Sequence, residues 1–585
     1  MPIIRPSPIL YVGALPEHLP PLSSIPHLPS DLSLLETLEH GQLFRRWDFV
    51  SQFNEDCLRP SEIEPLRFES DDLADRVVEK LGFVGHGGGR DAFTAVKEYV
   101  EDTRVERDKN DPVVAFWEEM NQLPPEGVCG FARESLEIGT TPARFEPMPA
   151  FERPPDEPSL AEGQRVFWKY SGQIFGALMH FSLAGGFSSP KLASVMHETN
   201  YLTSDAKEAT YKRLLETTLF VLDAMEDMTV GTGRGWKSAM RVRLLHAQVR
   251  RRISSGKGRY NKYNQERDGV PINQADLLAV LGAFAVGPVW SLTRNGTPMS
   301  HREKRAYQVA WRHVGFYLGI TPSLLTRYYG RTFETTESSF ASLAYAIFPS
   351  GEPPADPYTT PQYKILSAVA ARPPRGKRVE HHLELCRLCI GPSLAAQLAI
   401  PRGSWRDVWT VETERLMSWG LLMFGDAYSR FGGARGKRWE SRRRDWFRWV
   451  VKLLVIWQLG EKRTVFAWRD EARHGDKLGL EEGEDADLPM GPIVGKRVRK
   501  EWTSLLVELG LVLGGVVVAV PLVLVSFPSL RFFVLCSHLR IDGSNVENPD
   551  DEVAAALENG TVLVFNFVIK IDLRSRFIRI LTAPT

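Results

Sequence analysis

A mainly α-helical fold is predicted by three features of the sequence. Between about residues 160 and 460, apolar residues recur at three- and four-residue spacing, the period of a helix face. The runs stop where glycine and proline cluster, at Gly185, Gly186 and Pro190, at the GTGRG turn of 231–235, and at Thr321 and Pro322. No run of alternating apolar and polar residues of comparable length interrupts that region.

Taken in order, the first helix covers 162–183 (EGQRVFWKYSGQIFGALMHFSL). The second covers 204–225, with Ser204 and Asp205 as N-cap candidates. The third lies beyond the glycine turn and centres on RVRLLHAQVRRRI. A fourth begins near Asn273 and carries LLAVLGAFAVGPVWSL, and a fifth is EKRAYQVAWRHVGFYLGI. These helices make a core at 155–345. Upstream, residues 31–150 read as a helical extension with Pro- and Gly-rich loops. Residues 1–30 read as an extended leader whose prolines break every apolar run before it could form a signal-peptide core. Downstream come a proline-rich link at 346–380, further helices over 381–504 and a tail at 531–585, within which GTVLVFNFVIKIDL (560–573) alternates like a strand without an obvious partner.

An apolar segment at 505–530 is a candidate membrane anchor. Residues 509–530 carry no charge, a helix needs ~20 apolar residues to span a bilayer, and Lys496, Arg497, Arg499 and Lys500 form a basic flank. Pro521, Gly514 and Gly515 lower its helix propensity, and its valine-rich run equally suits a buried strand or core helix. Membrane insertion and peripheral attachment therefore stay open, and both fit an intracellular location.

Composition narrows the function classes. With 585 residues, 43% of them apolar and 25% charged, wholesale disorder is excluded. The 72 basic residues balance 72 acidic ones, so there is no basic excess for an open nucleic-acid footprint. Five scattered cysteines are too few for a disulfide framework.

The densest chemical cluster is RVRLLHAQVR at 241–250. On a helix Arg243, His246 and Arg250 share one face. An imidazole between two guanidiniums suits a histidine that ligates a metal while arginines meet anionic groups, and a haem offers an iron and two propionates. On spacing alone, a solvated basic helix is the favoured reading. One helix earlier, Arg213 and Thr217 are four apart with Glu216 beside them, which makes either an inward polar patch or a surface ion-pair stripe.

These clusters, in this order, together with GQRVF (163–167), INQADLLAVLGAF (272–284) and AYQVAWRHVGFYLGI (306–320), resemble the family of the bacterial latex-clearing rubber oxygenases and the fungal ER-bound oxygenase of the mycophenolic acid pathway. The resemblance implies a globin-like helical core holding b-type haem, with His246 as proximal iron ligand. Arg243 and Arg250 then match the arginines flanking that histidine, and Arg213 and Thr217 the polar pair near the haem. It further implies oxygen-dependent cleavage of a carbon–carbon double bond in a small, apolar, unsaturated isoprenoid-type substrate. Where the rubber-cleaving members place a lysine just before the threonine as distal ligand, Glu216 stands here, and Lys212 lies a full turn away. Glu216 then becomes a candidate general base, or else a salt-bridge partner of Arg213 or Lys212. Two readings from other classes remain: a haem-binding sensor or carrier without turnover, and a cofactor-free, membrane-associated helical scaffold.

Remaining motifs read as structural. Cys386 and Cys389, preceded by His381 and His382, lie within a continuing helical pattern and lack a second ligand pair for zinc. The loop GHGGGR (85–90) lacks the Lys-Ser/Thr of a phosphate-binding loop. His180 is the rival axial ligand, or a satisfied core histidine, and His313 packs helix on helix. The Arg/Trp-rich segment at 430–450 reads as an amphipathic helix, solvated or resting on anionic lipid.

Overall fold

A computed structural model describes residues 9–28, 33–82, 91–102, 110–124, 157–199, 202, 206–348, 354–372, 376–459, 500, 503, 561–564, 567–572 and 577–582. Two compact units divide the chain, Met1–Gly510 and Leu511–Thr585.

The first unit is mainly helical, as the apolar periodicity predicts. The first expected helix starts at Leu160 behind Ser159, whose side chain accepts the backbone N–H of Glu162, and runs to Lys169. A short helix, Ser171–Ala177, then widens into a π-helix over Leu178–Gly185. A wider turn offsets side chains from the 3.6-residue repeat, and such segments are frequent at functional sites. The second expected helix is Lys207–Ala224, and its expected caps Ser204 and Asp205 lie outside the described residues. The third is Arg234–Ser254, the fourth splits at Val286 into Gln274–Ala285 and Gly287–Arg294, and the fifth is His301–Tyr317. The fourth is apolar and long enough to pass for a membrane span, yet 78% of that window is buried inside the fold.

Around residue 310 the core is held by a buried carboxylate. Glu157 Oε1 accepts from Arg305 at 2.6 Å and from Arg312 at 2.8 Å, while Arg312 also donates to the carbonyls of Tyr329 and Gly330. A buried charge is tolerable only when paired in this way.

The N-terminal extension departs from the all-helical expectation. Leu10–Val12 pairs parallel with Phe49–Gln52, which pairs antiparallel with Leu43–Arg46, so part of the proline-rich leader is a sheet strand. The hairpin turns at Trp47 and Asp48, and Trp47 takes a positive φ of 49° although it lacks the Asn-Gly or Asp-Gly signal of such turns. Its indole is buried on Phe49, Tyr345 and Phe348, and that packing outweighs the local backbone preference.

Glu337 on the helix Phe333–Ile347 fastens this sheet. Its carboxylate accepts the indole N–H of Trp290 at 2.9 Å and the backbone N–H of Gly13 at 3.3 Å. Burial, only partly offset by Lys304 and these donors, pushes its pKa up to about 7. Because the folded value is raised, its stabilising contribution is complete below the unfolded value and is lost as pH climbs through about 7. Glu337→Gln is therefore expected to flatten the fall in melting temperature between pH 5 and pH 8. A fall as steep in the variant as in the parent would contradict this.

In the second unit, Thr561–Val564, Phe567–Asp572 and Phe577–Thr582 form a three-stranded antiparallel sheet, so the alternating segment does have partners. The apolar segment 505–530 and the glycine loop at 85–90 lie outside the described residues.

Candidate functional site

The helices Lys207–Ala224 and Arg234–Ser254 form an antiparallel hairpin closed by the glycine turn. Ser238 donates to Asp223 at 2.9 Å, and Gly235 packs so tightly on Ala224 that a Cβ there would sit 2.6 Å from the Ala224 Cα. The two sequence clusters thus lie on the two packed helices of one hairpin.

On the first helix, Arg213 Nη1 donates to Glu216 Oε2 at 2.8 Å, and the Thr217 hydroxyl donates back to the Arg213 carbonyl at 3.1 Å. Glu216 is 2% exposed, whereas Arg213 is half-buried. Of the two roles open to Glu216, salt-bridge partner of Arg213 is the one seen here.

On the second helix, His246 is half-buried, and its Nδ1 is buried with no hydrogen-bond partner. Burial, reinforced by the Arg250 charge and opposed by Asp71, pulls the imidazole down to about 4. It is therefore neutral near pH 7, which is the form that ligates metals.

The flanking arginines are spent differently than expected. Arg243, 1% exposed, donates to both oxygens of Asp71, at 2.5 and 3.1 Å, and meets Glu119 at 2.7 Å. Burial works against its charge, but the two carboxylates outweigh it and hold the guanidinium above its ordinary value. Gly319, at φ +87°, leaves room for this ion pair, because a Cβ there would collide with Asp71 and lie 2.8 Å from Arg243 Nε. Arg250 donates to Asp75 at 2.8 Å and to the Ile272 carbonyl at 3.1 Å, while its Nη2 is buried without a partner. Arg243 is thus an anchor for the N-terminal extension, not a group presented to propionates. Arg250 serves the same anchor and keeps one buried donor unused.

Sequence reasoning missed those partners. The helix's cations meet Asp71, Asp75, Glu79, Asp91 and Glu119, all from the extension. The acids of DDLAD at 71–75, set against the basic run at 241–252, were the available signal. Also missed was Glu198, a buried carboxylate that accepts the backbone N–H groups of Tyr260, Asn261 and Lys262 and fixes the loop after the His246 helix.

His180 is a satisfied core histidine. Its Nδ1 donates to the Gly176 carbonyl at 2.7 Å, and its Nε2 takes the Nδ1–H of His382 at 3.1 Å. Burial lowers His180 to about 4 and His382 to about 3, so both rings are neutral. Cys386 donates to the His180 carbonyl, and Cys386 and Cys389 are buried free thiols, as helix-core cysteines should be. His313 stacks edge-on against Tyr317 with ring centres 5.3 Å apart. Among the described residues, no three His, Cys, Asp or Glu side chains are grouped to hold a bare metal ion.

An apolar pocket lies elsewhere in the helical unit. Phe181 and Phe187 from the π-helical segment and its exit, Ala283 and Phe284, Trp290 and Phe340 line it, and neither His246 nor Arg213, Glu216 or Thr217 does.

Residues 168–454 match the model of the family described as ER-bound oxygenase mpaB/B'/Rubber oxygenase, catalytic domain. The resemblance carried by the sequence motifs is therefore shown over that span, and the span suggests an oxygenase. Among solved structures, the chain is similar to one described as latex clearing protein LCP in the closed state. That likeness has 17% identity and a TM-score of 0.38, and covers 60% of this chain and 83% of that one. No curated protein matches.

Proposed function

We propose that the oxygenase-family span 168–454 binds b-type haem through His246 and uses O2 to cleave a carbon–carbon double bond of a small, apolar, isoprenoid-type substrate. The observation that carries this reading is the His246 ring, held neutral by burial, with one nitrogen unpaired, on an inner helix of the matched domain. The residues present fit the group in part. His246 would hold its iron through a ring nitrogen, and the unused Nη2 of Arg250, one turn on, would offer a donor for a carboxylate. Arg243 supplies none, because Asp71 and Glu119 take it.

When bound, haem supplies the redox centre that triplet oxygen requires. The chain supplies the rest. Arg243 and Arg250 fix the His246 helix against the extension, so the imidazole is presented in one orientation. Arg213 holds Glu216 on the other helix of the hairpin, and Glu216 Oε1, the oxygen not bonded to Arg213, takes an allylic proton of the substrate and returns it to the product, since splitting C=C with O2 into two carbonyls releases no proton overall.

Glu216→Gln keeps the shape and removes the base. Turnover with a prenylated substrate is expected to drop 10²-fold or more, within the range for general-base loss, while haem content stays at the parent level. Unchanged turnover would rule out Glu216 as an essential base. Oxygen uptake by the haem-loaded parent separates an oxygenase from a carrier.

A further inference from the structure

The helix Trp405–Phe431 is built inside out for a soluble protein. Its inward side is polar: Glu414 pairs with Lys377 and His381, Ser418 accepts from Gln173, Arg415 reaches the Asn295 carbonyl, and Asp426 pairs with Lys169. Its outward side is aromatic. Trp405 is 69% exposed, Trp409 49%, Trp419 41%, Met423 42% and Phe431 83%. At 3.6 residues per turn these five side chains fall within an arc of about 120°, with Glu414 and Ser418 on the opposite side and Arg415 and Asp426 at the border. Scattered exposed apolar residues need no explanation, but five large ones on one side of a single helix, interrupted between Trp409 and Trp419 by Glu412 and Thr413, mark an interaction surface.

Charge identifies the occupant. The stripe ends at Phe431, where the chain turns into the helix Gly433–Leu459. Around that turn Arg430, Arg435, Lys437, Arg438 and Arg442 are exposed, and over 430–445 the only exposed acid is Asp445. Tryptophans with one apolar and one polar edge, beside a cluster of arginines, are the composition that settles at a bilayer interface and holds anionic headgroups. A partner protein would need a matching acidic, aromatic-accepting groove, whereas an anionic leaflet meets both features at once.

We infer that the outward stripe of Trp405–Phe431 and the basic turn after it form a docking surface for an anionic lipid bilayer, with the helix lying along the membrane. The residues that form this surface include neither the apolar segment at 505–530 nor His246. For an enzyme with an apolar substrate, it would hold the domain where such molecules partition.

The test is flotation of the full chain with vesicles of phosphatidylcholine alone or mixed with phosphatidylserine. The parent should float with the mixed vesicles, much less with the neutral ones, and less as salt is raised. The surface variant W405S/W409S/F431S should lose at least tenfold in partitioning. R435E/K437E/R438E should lose about a hundredfold on mixed vesicles, the scale expected for three cations near an anionic leaflet. Unchanged melting curves show that both variants fold. Should either misfold, the salt and lipid dependence of the parent still decides. Binding by the variants at the parent level, salt-independent binding, or equal binding to neutral vesicles would each overturn the proposal. So would a vesicle-free dimer of the parent that W405S/W409S/F431S dissociates, since the stripe would then join two copies of the chain.

Discussion

Arg243→Ala is expected to destabilise the helical unit by about 3–5 kcal/mol, the range for removing one partner from a buried ion pair. The guanidinium lies between Asp71 and Glu119, and Asp71 is itself 1% exposed. Removing it leaves at least one carboxylate in a site that water hardly reaches, along with a void behind Phe116, over whose ring the guanidinium sits at 5.0 Å. Arg243→Lys should not rescue it, because an ammonium cannot donate to both oxygens of Asp71 in the observed fork. Arg243→Ala combined with Asp71→Ala should lose clearly less than the two single losses added together, because neither charge is then left without the other. Denaturant titration of the four proteins checks this. A loss under about 1 kcal/mol for Arg243→Ala, typical of a surface pair, would show that the pair is solvated in solution.

How much of this could be read beforehand follows from the range of each interaction. The helices of 160–460 were legible because each buries one stripe, and that stripe is written locally at a 3.6-residue period. The π-helix at Leu178–Gly185 was not, because an altered turn leaves the side-chain pattern almost unchanged over eight residues. The hairpin at Trp47 was hidden for a different reason, since contacts with Tyr345 and Phe348, some 300 residues away, impose its turn. At the candidate site the spacing and the family motifs picked out His246, Arg213, Glu216 and Thr217. What the arginines do was hidden, because Asp71 and Asp75 lie more than 170 positions from them along the chain. The resemblance assigned Arg243 to a cofactor, and long-range ion pairing assigns it to the extension.

His246→Ala carries the other large effect. On the proposed reading the ring supplies an iron ligand in its neutral form, whereas His180 has both nitrogens engaged. Loss of haem affinity should exceed the 10–100-fold typical of removing a ligand's outer partner. Fold stability should change little, since the ring forms no hydrogen bond through Nδ1 that would be lost. His246→Gly with added imidazole should recover part of the spectrum, because the vacated space admits the free ligand. Recovery would separate ligation from a general packing defect.

The most direct measurement is a haem titration of the purified full chain followed by absorbance, alongside His246→Ala. The parent should give a saturable, equimolar Soret band with histidine-ligated iron, and the variant should lose it. A parent that shows only the spectrum of free haem, or a variant that binds with the same affinity and axial ligation, would contradict the assignment of His246.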